Sequence, residues 1–155
     1  MNDPIKMVAT DLDGTLLRND KTVSEYTIDI LTRCREKGIK TVYATGRGGS
    51  SEWLTPGDLF DGKISMNGAV AKTGDTVIYS RLIPWRSARL LLIACDKQGI
   101  KTAAQLSGTD YSNFNVTREW PWIKNFQQVD FAYHELDAEK IYAVPNGPGD
   151  IAAFN

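Results

Sequence analysis

The chain has 155 residues, of which 42% are hydrophobic and 24% are charged, and its formal net charge is −1. This composition suits a globular chain with a core, of a size for one ordinary domain or one and a half small ones. A net charge so close to zero gives no reason to expect nucleic acid or an anionic membrane as a partner.

Residues 1–4, Met-Asn-Asp-Pro, lack the basic start and the apolar stretch of a signal peptide. No segment approaches the ~18 apolar residues of a membrane helix, so we predict no membrane contact and a cytoplasmic location. Cys34 and Cys95 lie on the apolar faces of predicted helices, and we expect buried free thiols rather than a disulfide. His134 has no partners at zinc-ligand spacing.

Residues 5–10 form a short apolar run that predicts a buried strand, and Asp11-Leu12-Asp13-Gly14-Thr15 follows directly. Carboxylates at i and i+2 on extended backbone project to the same side, and a glycine lets the chain turn sharply after them. Two such charges repel unless a cation lies between them, so Asp11 and Asp13 predict an oxygen-ligated metal of the Mg²⁺ type.

The same pair of acids also indicates a carboxylate nucleophile beside a second carboxyl group that carries protons. A calcium-binding EF-hand loop is the alternative, and it needs glycine at its sixth position and an acid at its twelfth. Leu16 and Thr22 occupy those two positions, which excludes such a loop.

Residues 19–21, Asn-Asp-Lys, predict a turn, and Ser24 is the predicted N-cap of a helix that extends to about Lys37. A second strand is predicted over residues 39–44. Strand, helix and strand of these lengths favour a parallel βαβ unit, whose site lies at the carboxyl ends of the strands. The predicted helix has one apolar face, made of Thr27, Ile30, Leu31 and Cys34.

The segment Thr45-Gly46-Arg47-Gly48 follows the second predicted strand. It is neither a Walker loop nor a complete dinucleotide-binding fingerprint, and by itself it fits a structural turn as well as a phosphate site. A glycine-rich loop between strand and helix presents backbone N–H groups to an anion, while Thr45 adds a hydroxyl and Arg47 a guanidinium. Its place beside the acidic strand favours the phosphate site.

A third strand is predicted over residues 64–66, and it ends at Asn67-Gly68. Asn67 could face a substrate or simply form the turn, and the sequence leaves both interpretations open. Residues 69–72 and 76–83 flank Thr73-Gly74-Asp75 and predict a hairpin.

A second segment starts at Pro84, with a predicted helix that ends at Gly99 and a turn or helix start over residues 145–150. We therefore divide the chain into residues 1–83 and 84–155. Further strands of the second segment are predicted near residues 100–106, 109–117 and 139–144.

Three motifs in this order, Asp-Leu-Asp-Gly-Thr-Leu-Leu at 11–17, Ala-Thr-Gly-Arg at 44–47 and Met-Asn-Gly-Ala at 66–69, resemble those of haloacid dehalogenase superfamily phosphatases. The likeness is strongest to the Cof-like subgroup. It implies an α/β fold in which residues 1–83 form the N-terminal half of a Rossmann-like core with a parallel sheet. Residues 84–155 would then be part of an inserted α/β cap domain.

The resemblance further implies an enzyme, a Mg²⁺-dependent phosphatase that hydrolyses a small, sugar phosphate-like phosphomonoester through an aspartyl-phosphate. Asp11 would be the nucleophile, and Asp13 would protonate the leaving alkoxide and then activate water. Mg²⁺ would be held by the Asp11 carboxylate and the Asp13 backbone carbonyl. The residues expected to bind the phosphate or the substrate are Leu12, Thr45, Gly46, Arg47 and Asn67.

The family also uses a lysine on the phosphate and further aspartates on the metal, both from a segment that follows the cap. Gly149-Asp150 resembles the start of that acidic motif, and Lys101 is a weak candidate for the lysine. Without the later segment, residues 5–10 would form an apolar edge strand, which favours self-association. The alternatives to a phosphatase are therefore a catalytically incomplete fragment or binding remnant, and a phosphotransferase or mutase with the same chemistry.

Overall fold

The computed structural model describes residues 4–48, 51–121, 123–132, 135 and 137–144, and Gly149-Asp150 lies outside them. The chain divides into two compact units, Met1–Arg81 and Leu82–Asn155. No helix in the described ranges has both the length and the apolar character needed to cross a membrane.

The first unit is built on a five-stranded sheet with the strand order β1-β2-β3-β4-β5. Strands β1, β2 and β3 are parallel, and β4 and β5 add an antiparallel hairpin. This arrangement confirms the predicted α/β class with a parallel sheet. The elements are β1 (Met7–Asp11), α1 (Glu25–Glu36), β2 (Lys40–Ala44), α2 (Ser51–Leu54), β3 (Gly62–Ser65), β4 (Val70–Thr73) and β5 (Thr76–Ser80).

Helix α1 begins and ends where its sequence signals predict. The Ser24 hydroxyl accepts the backbone N–H of Thr27 at 3.0 Å, which satisfies one free donor of the first turn. At the other end Gly38 has a φ of 74°, a left-handed conformation that favours glycine. The Ile39 N–H donates back to the Cys34 carbonyl at 2.9 Å, so the chain enters β2 directly.

The core of this unit lies on one face of the sheet. Tyr43 is fully buried, its ring packs edge-to-face on Phe60 with centroids 5.1 Å apart, and its hydroxyl lies 3.2 Å from the Ser51 Oγ. Alternation in β2 places Tyr43 and Thr41 on this buried face. The cluster consists of Leu12, Leu17, Leu31, Tyr43, Leu59 and Phe60.

Strand β1 lies at the edge of the described sheet, with β2 on one side. Ile5 is 70% exposed and Met7 is 57% exposed, so the prediction of a buried strand over residues 5–10 is wrong, because no described strand covers this edge. The exposure agrees with the predicted apolar edge strand. An apolar edge with unpaired backbone groups promotes pairing with another chain. Self-association of this chain stays a prediction.

The second unit has a four-stranded sheet in the order β8-β7-β6-β9, with β7 and β8 parallel and the other pairs antiparallel. One helix packs on β6, around a buried cluster that includes Leu92, Ala104 and Phe131. The elements are α3 (Trp85–Lys97), β6 (Lys101–Leu106), β7 (Thr109–Ser112), β8 (Phe126–Gln128) and β9 (Lys140–Val144).

The strand predicted over residues 109–117 is shorter than expected. Strand β7 ends at Ser112, because the Asn115 side chain accepts the Thr117 N–H at 3.0 Å and starts a 3₁₀ turn. Strand β8 was absent from the prediction, since three residues, Phe126–Gln128, are too short to show an alternating pattern.

A buried carboxylate ties the second sheet together. Asp110 of β7 is 3% exposed, and it accepts hydrogen bonds from the Tyr142 hydroxyl at 2.6 Å and from the Gln105 Nε2 at 3.4 Å. Burial raises the pKa of Asp110, and burial beside Asp110 raises the pKa of Tyr142. Because each partner belongs to a different strand, this bonded network helps to fix the strand register.

Candidate active site

The carboxyl ends of three parallel strands come together at one edge of the first unit's sheet. Asp11 at the end of β1 is in register with Ala44 of β2, and Ala44 is in register with Ile64 of β3. The residues that follow these positions therefore emerge at the same edge, which is where ligands bind in open α/β sheets. The predicted acidic and glycine-rich segments both lie there.

Two backbone hydrogen bonds join the loops that follow β2 and β3. The Met66 N–H donates to the Arg47 carbonyl at 3.0 Å, and the Asn67 N–H donates to the Thr45 carbonyl at 3.2 Å. Met66 and Asn67 have φ values of 53° and 55°. Asparagine tolerates this left-handed region but methionine does so at a cost, and such strain persists only where surrounding contacts hold it. The two hydrogen bonds and the buried Met66 side chain supply those contacts.

Gly46 allows the Asn67 side chain to approach the backbone closely. A Cβ atom placed on Gly46 would lie 2.6 Å from the Asn67 Oδ1, well inside van der Waals contact. The side-chain amide of Asn67 can therefore lie against this loop only because residue 46 has no side chain.

Replacing Gly46 by Ala is expected to displace the Asn67 amide and to weaken binding of inorganic phosphate about fivefold, because one net hydrogen bond contributes about 1 kcal/mol. Isothermal titration with phosphate in the presence of Mg²⁺ measures this change. Gly57→Ala is the matched control, since a Cβ there meets nothing within 4 Å. Equal phosphate affinity in both variants would contradict the proposed role of the Asn67 amide.

Asp13 is held by two cations. Arg47 makes a bidentate pair with it, Nε to Oδ2 at 2.5 Å and Nη2 to Oδ1 at 2.7 Å, and the Lys21 Nζ lies 3.0 Å from Oδ1. The Arg47 hydrogen bonds, followed by those of Lys21, hold the pKa of Asp13 well below its usual range despite partial burial. Asp13 is therefore ionised in this arrangement.

Asp11 and Leu12 are neighbours with opposite environments. The Asp11 side chain is exposed at the strand end, and the Thr15 hydroxyl donates a long hydrogen bond of 3.4 Å to its Oδ2. Leu12 is fully buried and belongs to the core cluster. Any contact of Leu12 with a ligand is thus limited to its backbone, while its side chain anchors the loop.

The structure brings most of the predicted site residues into contact. Arg47 contacts Asp13 directly, and Gly46 contacts Asn67. The Thr45 hydroxyl accepts the Arg47 N–H at 3.2 Å, which orders the loop. The sequence predicts only a turn at Lys21 and not its contact with Asp13. The eight-residue separation of Lys21 and Asp13 in a loop does not specify that their side chains meet.

The oxygen donors of Asp11 and Asp13 suit Mg²⁺. In the described part of the chain, no group of three or more His, Cys, Asp or Glu residues could hold a metal ion. Mg²⁺ commonly uses one or two carboxylates and completes its shell with water and substrate phosphate oxygens. Two aspartates beside a glycine-rich loop therefore fit Mg²⁺ bound jointly with a phosphate.

Comparison with known proteins gives likenesses over nearly the whole chain. A Haemophilus influenzae protein with a provisional phosphatase name is 26% identical over 97% of this chain and 59% of its own length. The structure of a subclass IIB sugar phosphatase of the haloacid dehalogenase superfamily is 27% identical, with a TM-score of 0.68 over 82% of this chain and 53% of that chain.

A haloacid dehalogenase-like hydrolase from B. subtilis has a similar fold, with a TM-score of 0.78 at 18% identity, covering 97% of this chain and 65% of that one. This chain thus spans between half and two thirds of the length of these relatives. The sequence profile of the haloacid dehalogenase-like hydrolases matches residues 8–147. As the three motifs predicted, the chain belongs to the haloacid dehalogenase-like hydrolase family.

Proposed function

We propose that this chain carries the nucleophilic half of a Mg²⁺-dependent phosphatase that hydrolyses a small phosphomonoester through an aspartyl-phosphate. The observation that supports this proposal most is the bidentate pairing of Asp13 with Arg47, which joins the end of the acidic strand to the glycine-rich loop. The sugar phosphatase named above supports a sugar phosphate as the substrate class. We also propose the second unit as part of a cap domain, and a cytoplasmic location stays a prediction.

Asp11 is the proposed nucleophile because its carboxylate is exposed at the carboxyl end of the parallel strand β1. It attacks phosphorus as the ester oxygen leaves. The phosphoryl oxygens are held by Thr45, the Gly46 N–H, Arg47 and Asn67, and the charge of Arg47 helps to neutralise them. Positioning and neutralising these oxygens is the main task in phosphoryl transfer. Mg²⁺, when held by Asp11 and the Asp13 carbonyl, supplies further neutralisation of the phosphate charge.

Asp13 is the proposed proton carrier. With Arg47 and Lys21 drawn to the phosphate, ionised Asp13 accepts a proton from water when the aspartyl-phosphate is hydrolysed. To protonate the leaving alkoxide in the first step, Asp13 must first take up a proton. This requires the phosphate to draw Arg47 and Lys21 away from the Asp13 carboxylate, because those two cations keep its pKa low.

Hydrolysis of a generic aryl phosphate by the 155-residue chain tests this function. We expect release of the aryl alcohol that depends on Mg²⁺ and stops when EDTA removes the metal, since the four charged site residues leave the phosphate dianion uncompensated without it. Formation of a phosphorylated product with an added alcohol would instead favour a phosphotransferase. A folded chain without turnover would favour a binding remnant. Activity that survives EDTA would contradict the proposed dependence on Mg²⁺.

A further inference from the structure

We propose that Lys21 is a phosphate-binding residue of this site, which pairs with Arg47 to take up the phosphate dianion when substrate enters. The proposal rests on the proposed function, and it assigns a residue outside the three sequence motifs. In the structure the Lys21 Nζ lies 3.0 Å from the Asp13 Oδ1, on the carboxylate that Arg47 also binds.

The backbone around Lys21 holds its side chain toward the site. Lys21 has a φ of 66°, a left-handed conformation that lysine rarely adopts. Its N–H donates to the Arg18 carbonyl at 2.9 Å, and the Arg18 N–H donates to the Thr22 carbonyl at 2.9 Å. Asp20 closes the turn by accepting the Thr22 N–H at 3.0 Å. This turn fixes the backbone from which the Lys21 side chain reaches the Asp13 carboxylate.

The charges of the described site residues favour a second cation beside Arg47. Asp11 and Asp13 carry two negative charges, and Lys21 and Arg47 carry two positive charges, so the four side chains are neutral together. A Mg²⁺ ion and a phosphate dianion also cancel, and the loaded site therefore stays neutral. While Asp13 is ionised, as it is in the structure, the described site residues with Arg47 as their sole cation would hold a net negative charge once Mg²⁺ and phosphate are bound.

The ion pairs on Asp13 are open to exchange. The side chain of Lys21 is 51% exposed and that of Asp13 is 39% exposed, and ion pairs at such solvent-accessible positions contribute little stability. A phosphate dianion has twice the charge of a carboxylate and more acceptor oxygens. It competes well with Asp13 for both cations, so the Asp13 carboxylate occupies the cations until phosphate replaces it.

Isothermal titration calorimetry tests this role. It measures the affinity of the 155-residue chain for inorganic phosphate in the presence of Mg²⁺. Lys21→Met keeps the aliphatic stem and is expected to weaken phosphate binding about tenfold, the change typical of one lost charge-assisted hydrogen bond. Lys21→Arg is expected to restore most of the affinity. The matched control is Lys40→Met, because Lys40 forms a similar exposed pair with Asp61 at 2.9 Å and lies at the opposite end of its strand.

Lys21→Gly separates binding from folding. Glycine adopts the left-handed conformation without strain, so this variant is expected to unfold at or above the wild-type temperature while binding phosphate as weakly as Lys21→Met. Unchanged phosphate affinity in both variants would overturn the role of Lys21, as would a wild-type chain that binds no phosphate. The chain could instead bind phosphate in a way that depends on Lys21 but fail to hydrolyse the aryl phosphate. That result would contradict the proposed function and leave the role of Lys21 intact.

Discussion

Replacing Asp11 by Asn is expected to abolish Mg²⁺-dependent hydrolysis of an aryl phosphate to the limit of detection. The amide has nearly the same shape as the carboxylate, but it is not a nucleophile and binds Mg²⁺ weakly, so both proposed roles of Asp11 disappear together. The rate of aryl alcohol release under saturating Mg²⁺ measures this loss. Asp13→Asn is expected to lower kcat by about 10²- to 10⁴-fold, the range for a lost general acid–base group.

Asp29→Asn is the matched control for these variants. Asp29 lies on the exposed side of helix α1 and forms an ion pair with Arg33 at 3.8 Å, outside the candidate site. This variant is expected to retain wild-type activity. Full activity in Asp11→Asn would contradict the nucleophile assignment, whereas loss of activity in Asp29→Asn would show that the assay reports folding rather than chemistry.

Replacing Tyr43 by Ala is expected to give the largest loss of stability in the first unit, about 3–5 kcal/mol, the range for removing a large buried aromatic ring. Tyr43 is fully buried, packs against Phe60 and contacts Ser51. Because domains of this size are stable by only about 5–15 kcal/mol, such a loss removes a large share of the folding free energy. Urea unfolding followed by circular dichroism measures the change in midpoint.

Tyr43→Phe keeps the ring and removes the hydroxyl that lies 3.2 Å from the Ser51 Oγ. We expect a loss of about 1 kcal/mol, the net contribution of one hydrogen bond. An equal urea midpoint for Tyr43→Ala and the wild type would show that the first unit is not organised around this ring. Tyr43→Phe is expected to stay folded, so its urea midpoint can be measured even if Tyr43→Ala does not fold.

Local sequence signals predicted most of the first unit because they act over a few residues. Ser24 marks the start of α1 because its hydroxyl accepts a backbone N–H of the first turn. Gly38 marks the end because it adopts the left-handed conformation just after the helix. The apolar runs on either side predict β1 and β2, and a helix between two strands favours a parallel connection. The same signals were too weak for the three-residue strand β8 and for the turn that ends β7.

The sequence by itself was enough to predict the family and the candidate chemistry, because the residue types at 11–15 and 44–47 suit a metal, a nucleophile and a phosphate. Only the tertiary structure decided which side chains meet. The pairing of Arg47 with Asp13 spans 34 positions, and it depends on the register that aligns Asp11 with Ala44. Lys21 reaches the same carboxylate through a left-handed turn. Such contacts follow from strand register and backbone direction, which residue spacing along the chain does not specify.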